Sequence, residues 1–149
     1  MHPGRRTFAA LVVGLAVAAC GQQAQVQGVT SNVQAVVVEK IAGSELERLS
    51  LSEHAAQRLG IETAPVASSP TGSAGRLLVP YSAVVYDSTG TTWAYTSPEA
   101  LVFVRQKITV DHIAADQAVL ASGPDVGTLV VTVGAAELWG VETGVGGGH

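Results

Sequence analysis

The chain has 149 residues, with 8 Lys and Arg against 12 Asp and Glu, a net charge of −4, and is 47% hydrophobic but only 5% aromatic. Scattered acidic charge argues against nucleic acid and against a polybasic membrane-binding surface. One cysteine excludes a disulfide framework and a thiolate zinc site, and abundant Val, Ala, Thr and Gly favour modest β-strands over a large aromatic core.

Residues 1–19 read as a secretory signal: Arg5 and Arg6, then an uncharged run over residues 8–19 that ends in Ala18-Ala19-Cys20. Twelve such residues are too few to span a bilayer core, which takes about 20. The small side chains before Cys20 and the thiol itself resemble a bacterial lipobox, so Cys20 is expected to be the acylated first residue of the mature protein. A chance cysteine in an ordinary signal is the competing reading. Arg5-Arg6-Thr7-Phe8 partly resembles a twin-arginine signal. Removing the signal takes away both arginines and leaves 6 basic against 12 acidic residues.

Residues 20–32 form a lipidated, Gln-rich tether. A dozen flexible residues reach about 20 Å root-mean-square. Residues 33–75 hold N-terminal strands, a short helix and a linker. The run 33–41 (VQAVVVEKI) predicts a strand, Ala42-Gly43-Ser44 a turn, and 45–51 a partner strand through Leu46, Leu49 and Leu51. Ser50 and Glu53 sit at capping-box spacing, which predicts a helix starting near Ser52 with Ala55, Ala56 and Leu59 inward and Gly60 closing it. Residues 61–66 leave as a strand, and 68–75 (SSPTGSAG) is a linker.

Residues 76–140 read as strands separated by turns, a membrane-proximal-like β-domain. Strands are expected at 77–79, 83–86, 91–97, 101–110, 117–121 and 128–133. Pro80 marks a strand edge, turns fall at 87–90 and at Pro98-Glu99, and one helical turn at 135–138 follows. Trp93 and Tyr95 share one face of their strand, and Arg105 and Lys107 one face of theirs. These four are the candidate partner-binding residues, with core packing and a solvated basic pair as the alternatives. Residues 141–149 are a Gly-rich tail, too poor in a following helix and Lys-Ser/Thr to be a phosphate loop. The expected fold is mainly β, with small β-barrel-like and membrane-proximal modules and one short helix.

Chemistry-bearing motifs are sparse. There is no Gly-x-Ser-x-Gly elbow, His-Glu-x-x-His or phosphate loop, so no enzyme, catalytic residue or cofactor is expected. His54, His112 and His149 are dispersed. Asp111-His112 with Asp116 is the nearest approach to a metal cluster, and no metal site is assigned.

Three stretches carry a family resemblance. Residues 51–63 (LSEHAAQRLGIET) resemble a short helix followed by a Leu-Gly-Ile-x-Thr entry to a barrel. Residues 79–85 (VPYSAVV) followed by Gly90 resemble a Val-Pro-x-x-Ala-Val strand and its turn. Residues 122–138 (SGPDVGTLVVTVGAAEL) resemble the segment that closes a membrane-proximal domain. Together, in this order, they resemble the C-terminal half of the periplasmic adaptor (membrane fusion protein) family of resistance-nodulation-division efflux pumps. The resemblance covers residues 49–138. It departs from the family before that: residues 21–48 leave no room for lipoyl-like halves or a helical hairpin. The resemblance implies a non-catalytic, lipid-anchored accessory of a transport system, its partners being membrane lipid through acylated Cys20 and a membrane transporter, with no nucleic acid. It implies an extracytoplasmic location on the cell membrane, and Gly21 in place of an aspartate leaves the outer membrane open. The alternatives are a surface β-domain holding a cell-wall component or hydrophobic ligand through Trp93 and Tyr95, and a periplasmic metal-binding protein.

Overall fold

The computed structural model describes residues 35–69 and 75–144. The signal, Cys20 and its tether, most of the 68–75 linker and the end of the glycine tail lie outside the described residues. The fold is mainly β. β1 (Val36–Lys40) and β2 (Glu47–Leu51) form an antiparallel hairpin, with Val36 opposite Leu51 and Lys40 opposite Glu47. Helix α1 (Glu53–Leu59) follows. Its cap is Ser52, whose Oγ accepts from the Ala55 amide at 3.2 Å, and not the Ser50/Glu53 pair the spacing suggested. Ser50 is committed to the sheet, paired with Val37 on one side and Val102 on the other. Gly60 closes the helix in the left-handed conformation (φ 63°).

Strands β3 (Glu62–Pro65) and β4 (Ala67–Ser68) are separated only by Val66. β5 (Leu77–Pro80) leads through a single 3₁₀ turn, Tyr81–Ala83, into β6 (Val85–Tyr86). Then come β7 (Thr92–Glu99), β8 (Val102–Ala114), β9 (Gln117–Ser122), β10 (Leu129–Val133) and helix α2 (Ala135–Glu142). The main sheet runs β3-β10-β7-β8-β9-β5-β4. Because β4 continues β3, the two ends of that path are one stretch of chain, and the sheet is a nearly closed barrel. Val66 is the corner. Its amide donates to the Thr128 carbonyl at 2.9 Å and its carbonyl accepts from the Gly127 amide at 2.8 Å, so the kink leaves no backbone group unpaired.

Three elements depart from the sequence reading. The Pro98-Glu99 turn is absent: β7 runs through it to Glu99, and the register shifts between Thr96 and Glu99. A proline has no N–H to give a ladder, and a bulge is where a strand tolerates one. The turn moves on to Ala100-Leu101, with Leu101 at φ 63°. β8 reaches Ala114, past the expected end at 110, because its second half finds a separate partner in β9. α2 has two turns, where one was expected, so there are two short helices. Strands from 33–75 and 76–140 also share one sheet, since β2 pairs with β8 and β3 with β10.

Strand alternation divides the core in two. One cluster gathers Val66, Val79, Ala83, Ala94, Ile108, Ala118, Leu120 and Val130. The other gathers Leu49, Leu51, Val85, Tyr95, Phe103 and Val131 beneath Ala55 of α1 and Ala135 and Leu138 of α2. Neighbours Ala94 and Tyr95, or Val130 and Val131, face opposite clusters, as a period of two requires. Thr96 is buried on the first side and donates its hydroxyl proton to the Val104 carbonyl at 2.9 Å. Each fully buried aliphatic side chain stabilises the fold by about 1.5–3 kcal/mol.

Gly134, between β10 and α2, has φ 87°, and a Cβ there would lie 2.3 Å from Ile61 Cδ1 and 3.4 Å from the Leu59 carbonyl. Gly127 has a similar φ of 90° but open space around it. Gly127→Ala is expected to cost about 1–2 kcal/mol of backbone strain alone. Gly134→Ala adds overpacking for a total of about 2–4 kcal/mol. Urea denaturation of the two variants side by side checks the difference.

Candidate functional site

β7 and β8 are register partners, which sets Tyr95 opposite Arg105 and Trp93 opposite Lys107. α2 lies over this face and contributes Leu138, Trp139 and Glu142. The result is a cluster of side chains from three elements. The Arg105 guanidinium sits 4.5 Å from the Trp93 ring centroid and 5.2 Å from that of Trp139, a cation between two indoles. Glu142 Oε1 lies 2.9 Å from Arg105 Nε, and Glu142 Oε2 accepts from the Tyr95 hydroxyl. The side chain of Glu142 is 4% exposed and that of Arg105 18%. The Arg105 Nε and Glu142 Oε1 atoms meet at ion-pair distance without the alignment of a hydrogen bond, so their attraction is chiefly Coulombic.

A second arm fixes Trp93. Its Nε1–H donates to Asp87 Oδ2 at 3.0 Å. The other carboxylate oxygen of Asp87 accepts from the Thr89 amide (2.8 Å), the Thr89 hydroxyl (2.7 Å) and the Thr91 amide (2.9 Å). These donors, Trp93 first and Thr89 next, hold the Asp87 carboxyl well below the usual carboxylate range. Tyr95 is fully buried. Burial first, and then the Glu142 carboxylate, push its phenol far above the ordinary value of 10.0. Three of the four candidate partner-binding residues therefore meet in space, but facing inward. Trp93, Tyr95 and Arg105 hold α2 against the sheet, and Lys107 stands beyond them, exposed. A polar cleft of about 270 Å³, lined by Lys40, Glu45, Glu47, Arg105, Glu142 and Thr143 among others, opens beside the ion pair.

A separate cleft of about 410 Å³ lies at the other end of the β7–β8 pair, lined by Tyr86, Gly90, Thr91, Thr92, Lys107 and Thr109 with Ile108 and Val110. Tyr86 is 51% and Tyr81 45% exposed. The neighbouring Tyr81 hydroxyl, chiefly, raises the Tyr86 pKa above its ordinary value. Sequence reasoning took Lys107 as half of a basic pair and missed both tyrosines. The available signal was Pro80 followed by two tyrosines five residues apart, with the 3₁₀ turn Tyr81–Ala83 between strands.

The Asp111–His112 pair is a surface cluster of a different kind. Arg76 Nη1 and His112 Nδ1 both lie 2.8 Å from Asp111 Oδ2, and Asp111 is held below its usual pKa, by Arg76 first and His112 second. Among the described residues no three His, Cys, Asp or Glu side chains converge as metal ligands would, and His149 lies outside them.

Removing either member of the buried ion pair leaves the other without a counter-charge. Glu142→Ala and Arg105→Ala are each expected to cost about 3 kcal/mol or more. The double variant is expected to lose clearly less than the two losses added, which urea denaturation of all four proteins measures. Tyr95→Phe leaves Glu142 Oε2 without its donor and is expected to cost about 1–3 kcal/mol. The same site predicts an alkaline limb. Above pH 10 the unfolded phenol ionises while the folded one keeps its proton, so the native chain loses stability as pH rises. Thermal midpoints between pH 8 and 11 should fall less steeply in Tyr95→Phe.

Comparison of the chain with protein-family models, with curated proteins and with solved structures finds no match.

Proposed function

We propose that the chain is a lipid-anchored, extracytoplasmic scaffold, an accessory of a membrane transporter that resembles a shortened periplasmic adaptor and performs no catalysis. The observation that carries this reading is that the three stretches bearing the resemblance pack on one another. β3, from the first, pairs with β10, from the third, with Thr63 opposite Val131. Gly134 of the third has no room for a Cβ beside Ile61 of the first. Val85 of the second shares a cluster with Val131, Ala135 and Leu138, and its Val79 and Ala83 share the other cluster with Val130. Their convergence in one sheet supports reading them together. A barrel-like sheet is also what the resemblance implies.

The mechanism is one of proximity. An acyl chain contributes about 0.8 kcal/mol per buried methylene, so two or three chains on Cys20 hold the domain at the membrane. The tether expected from the sequence has a reach of about 20 Å root-mean-square, so a small interface with a transporter suffices because the second binding event is effectively intramolecular. The side chains with the most chemical potential, Tyr95, Arg105, Asp87 and Glu142, serve internal structure, which suits a scaffold.

Labelled palmitate is expected to enter the wild-type chain and not Cys20→Ala. Crosslinking in intact cells is expected to capture a transporter with the wild type, while Cys20→Ala yields a folded, water-soluble domain that captures none. Repeated capture without any transporter would overturn the proposal.

A further inference from the structure

β1 pairs with β2 and, among the described residues, with no other strand. It is the longest strand with a neighbour on one side only, since β3, β4 and β6 are shorter. Two hydrogen bonds fix which of its backbone groups are spent. The Ser52 amide donates to the Ala35 carbonyl and the Ile41 amide to the Leu46 carbonyl, both at 3.0 Å. Bonded residues alternate along an antiparallel ladder, so Ala35, Val37, Glu39 and Ile41 are committed to β2. Val36, Val38 and Lys40 therefore direct their N–H and C=O groups to the open side.

Sheets blunt such an edge with a proline, a bulge or a charge pointing into the core. β1 has no proline, and its register with β2 runs without a shift. Both of its charges lie at its end, where Glu39 stands opposite Arg48 and Lys40 opposite Glu47. The rest is three valines. Along one row of the sheet Phe103 and Leu49 are buried, while Val38, next in that row, is 42% exposed. Val37, on the other face, is 36% exposed. The apolar layer stops one strand short of being covered.

The strand is its own complement. When two copies meet antiparallel about a two-fold axis, the outward groups of each come from Val36, Val38 and Lys40. Residues facing one another must then both be outward-bonding or both not, so the axis passes through a residue. An axis at Val36 or Val37 carries Lys40 past the start of the second copy's strand. An axis at Glu39 sets two carboxylates face to face, and one at Lys40 two ammonium groups. At Val38 neither fault arises. Val38 bonds its own counterpart, Val36 bonds Lys40 of the second copy, and Glu39 faces a valine.

We propose that β1 pairs with β1 of a second copy of this chain, antiparallel about a two-fold axis at Val38, so that one sheet continues through both subunits. Five residues make a small interface, and the dimer is a weak, concentration-dependent one. Capture of a transporter has no part in it.

Sedimentation of the full chain, in detergent with micelles in large excess over protein, should show a monomer–dimer equilibrium. Val38→Pro removes an N–H that points only outward, so the hairpin persists and the dimer weakens at least about tenfold. Val38→Lys and Val38→Glu should each be monomeric, and mixing the two should restore a dimer. Circular dichroism checks that each variant is folded. Amide exchange at Val36, Val38 and Lys40 should slow as protein concentration rises, with Val37 and Glu39 slow throughout. Four results would each overturn the proposal. They are a monomer at millimolar concentration, a folded Val38→Pro that dimerises like the wild type, folded Lys and Glu variants that fail to pair, and concentration-independent protection of the three outward amides. The last would place another part of the same chain on the edge.

Discussion

A guanidinium held between two indoles and closed by a buried carboxylate organises one side of this molecule. Arg105 alone would be costly to place under a helix. Trp93 and Trp139 give it two electron-rich faces and Glu142 a counter-charge, while Tyr95 satisfies the second oxygen of that carboxylate. The group joins β7, β8 and α2, which lie far apart in sequence: Tyr95 and Glu142 are 47 residues from one another. α2 is an indifferent helix by composition, with Gly140 inside it. Its second turn persists because Trp139 and Glu142 are anchored from outside, and its first because Leu138 is fully buried.

The other half of the architecture depends on one long strand and one corner. β8 pairs with β7 and β2 in its first half and with β9 in its second, so the sheet turns around it. Val66 supplies the return, keeping both backbone bonds while the chain passes from pairing with β10 to pairing with β5. Small residues at Ala83, Ala94 and Ala118 fit the tightly curved interior cluster, and the bulky aromatics lie on the outer face beneath the helices. That distribution explains how a chain with so few aromatic residues can build two cores.

The aromatic and cationic side chains thus divide into two sets. Trp93, Tyr95 and Arg105 face one another and stabilise the fold, whereas Tyr81, Tyr86 and Lys107 are exposed, the last two at a cleft. Asp87 connects them, bracing the turn at the rim and the indole beneath it.

Much of the fold was legible in the residues. The mainly β character followed from the Val- and Thr-rich runs, α1 and its left-handed Gly60 from an apolar face with a glycine behind it, and the shared face of Trp93 and Tyr95 from the two-residue period of a strand. Such features depend on contacts only a few residues apart, which a sequence displays directly. Whether that shared face turned inward or outward was a different matter. Tyr95 is buried because α2 covers its face of the sheet, whereas Tyr86, next to the buried Val85, points to the opposite face and is exposed. Ser50 lost its capping role to two neighbouring strands, Pro98 sat in a bulge created by register, and Glu142 found Arg105 only once the helix had docked. Each of these outcomes rests on pairing between distant segments, where the energy comes from burial and charge compensation that no local pattern encodes. The sequence by itself determined which elements form; the tertiary structure alone decided which of their polar side chains hold the protein together and which are left to meet something else.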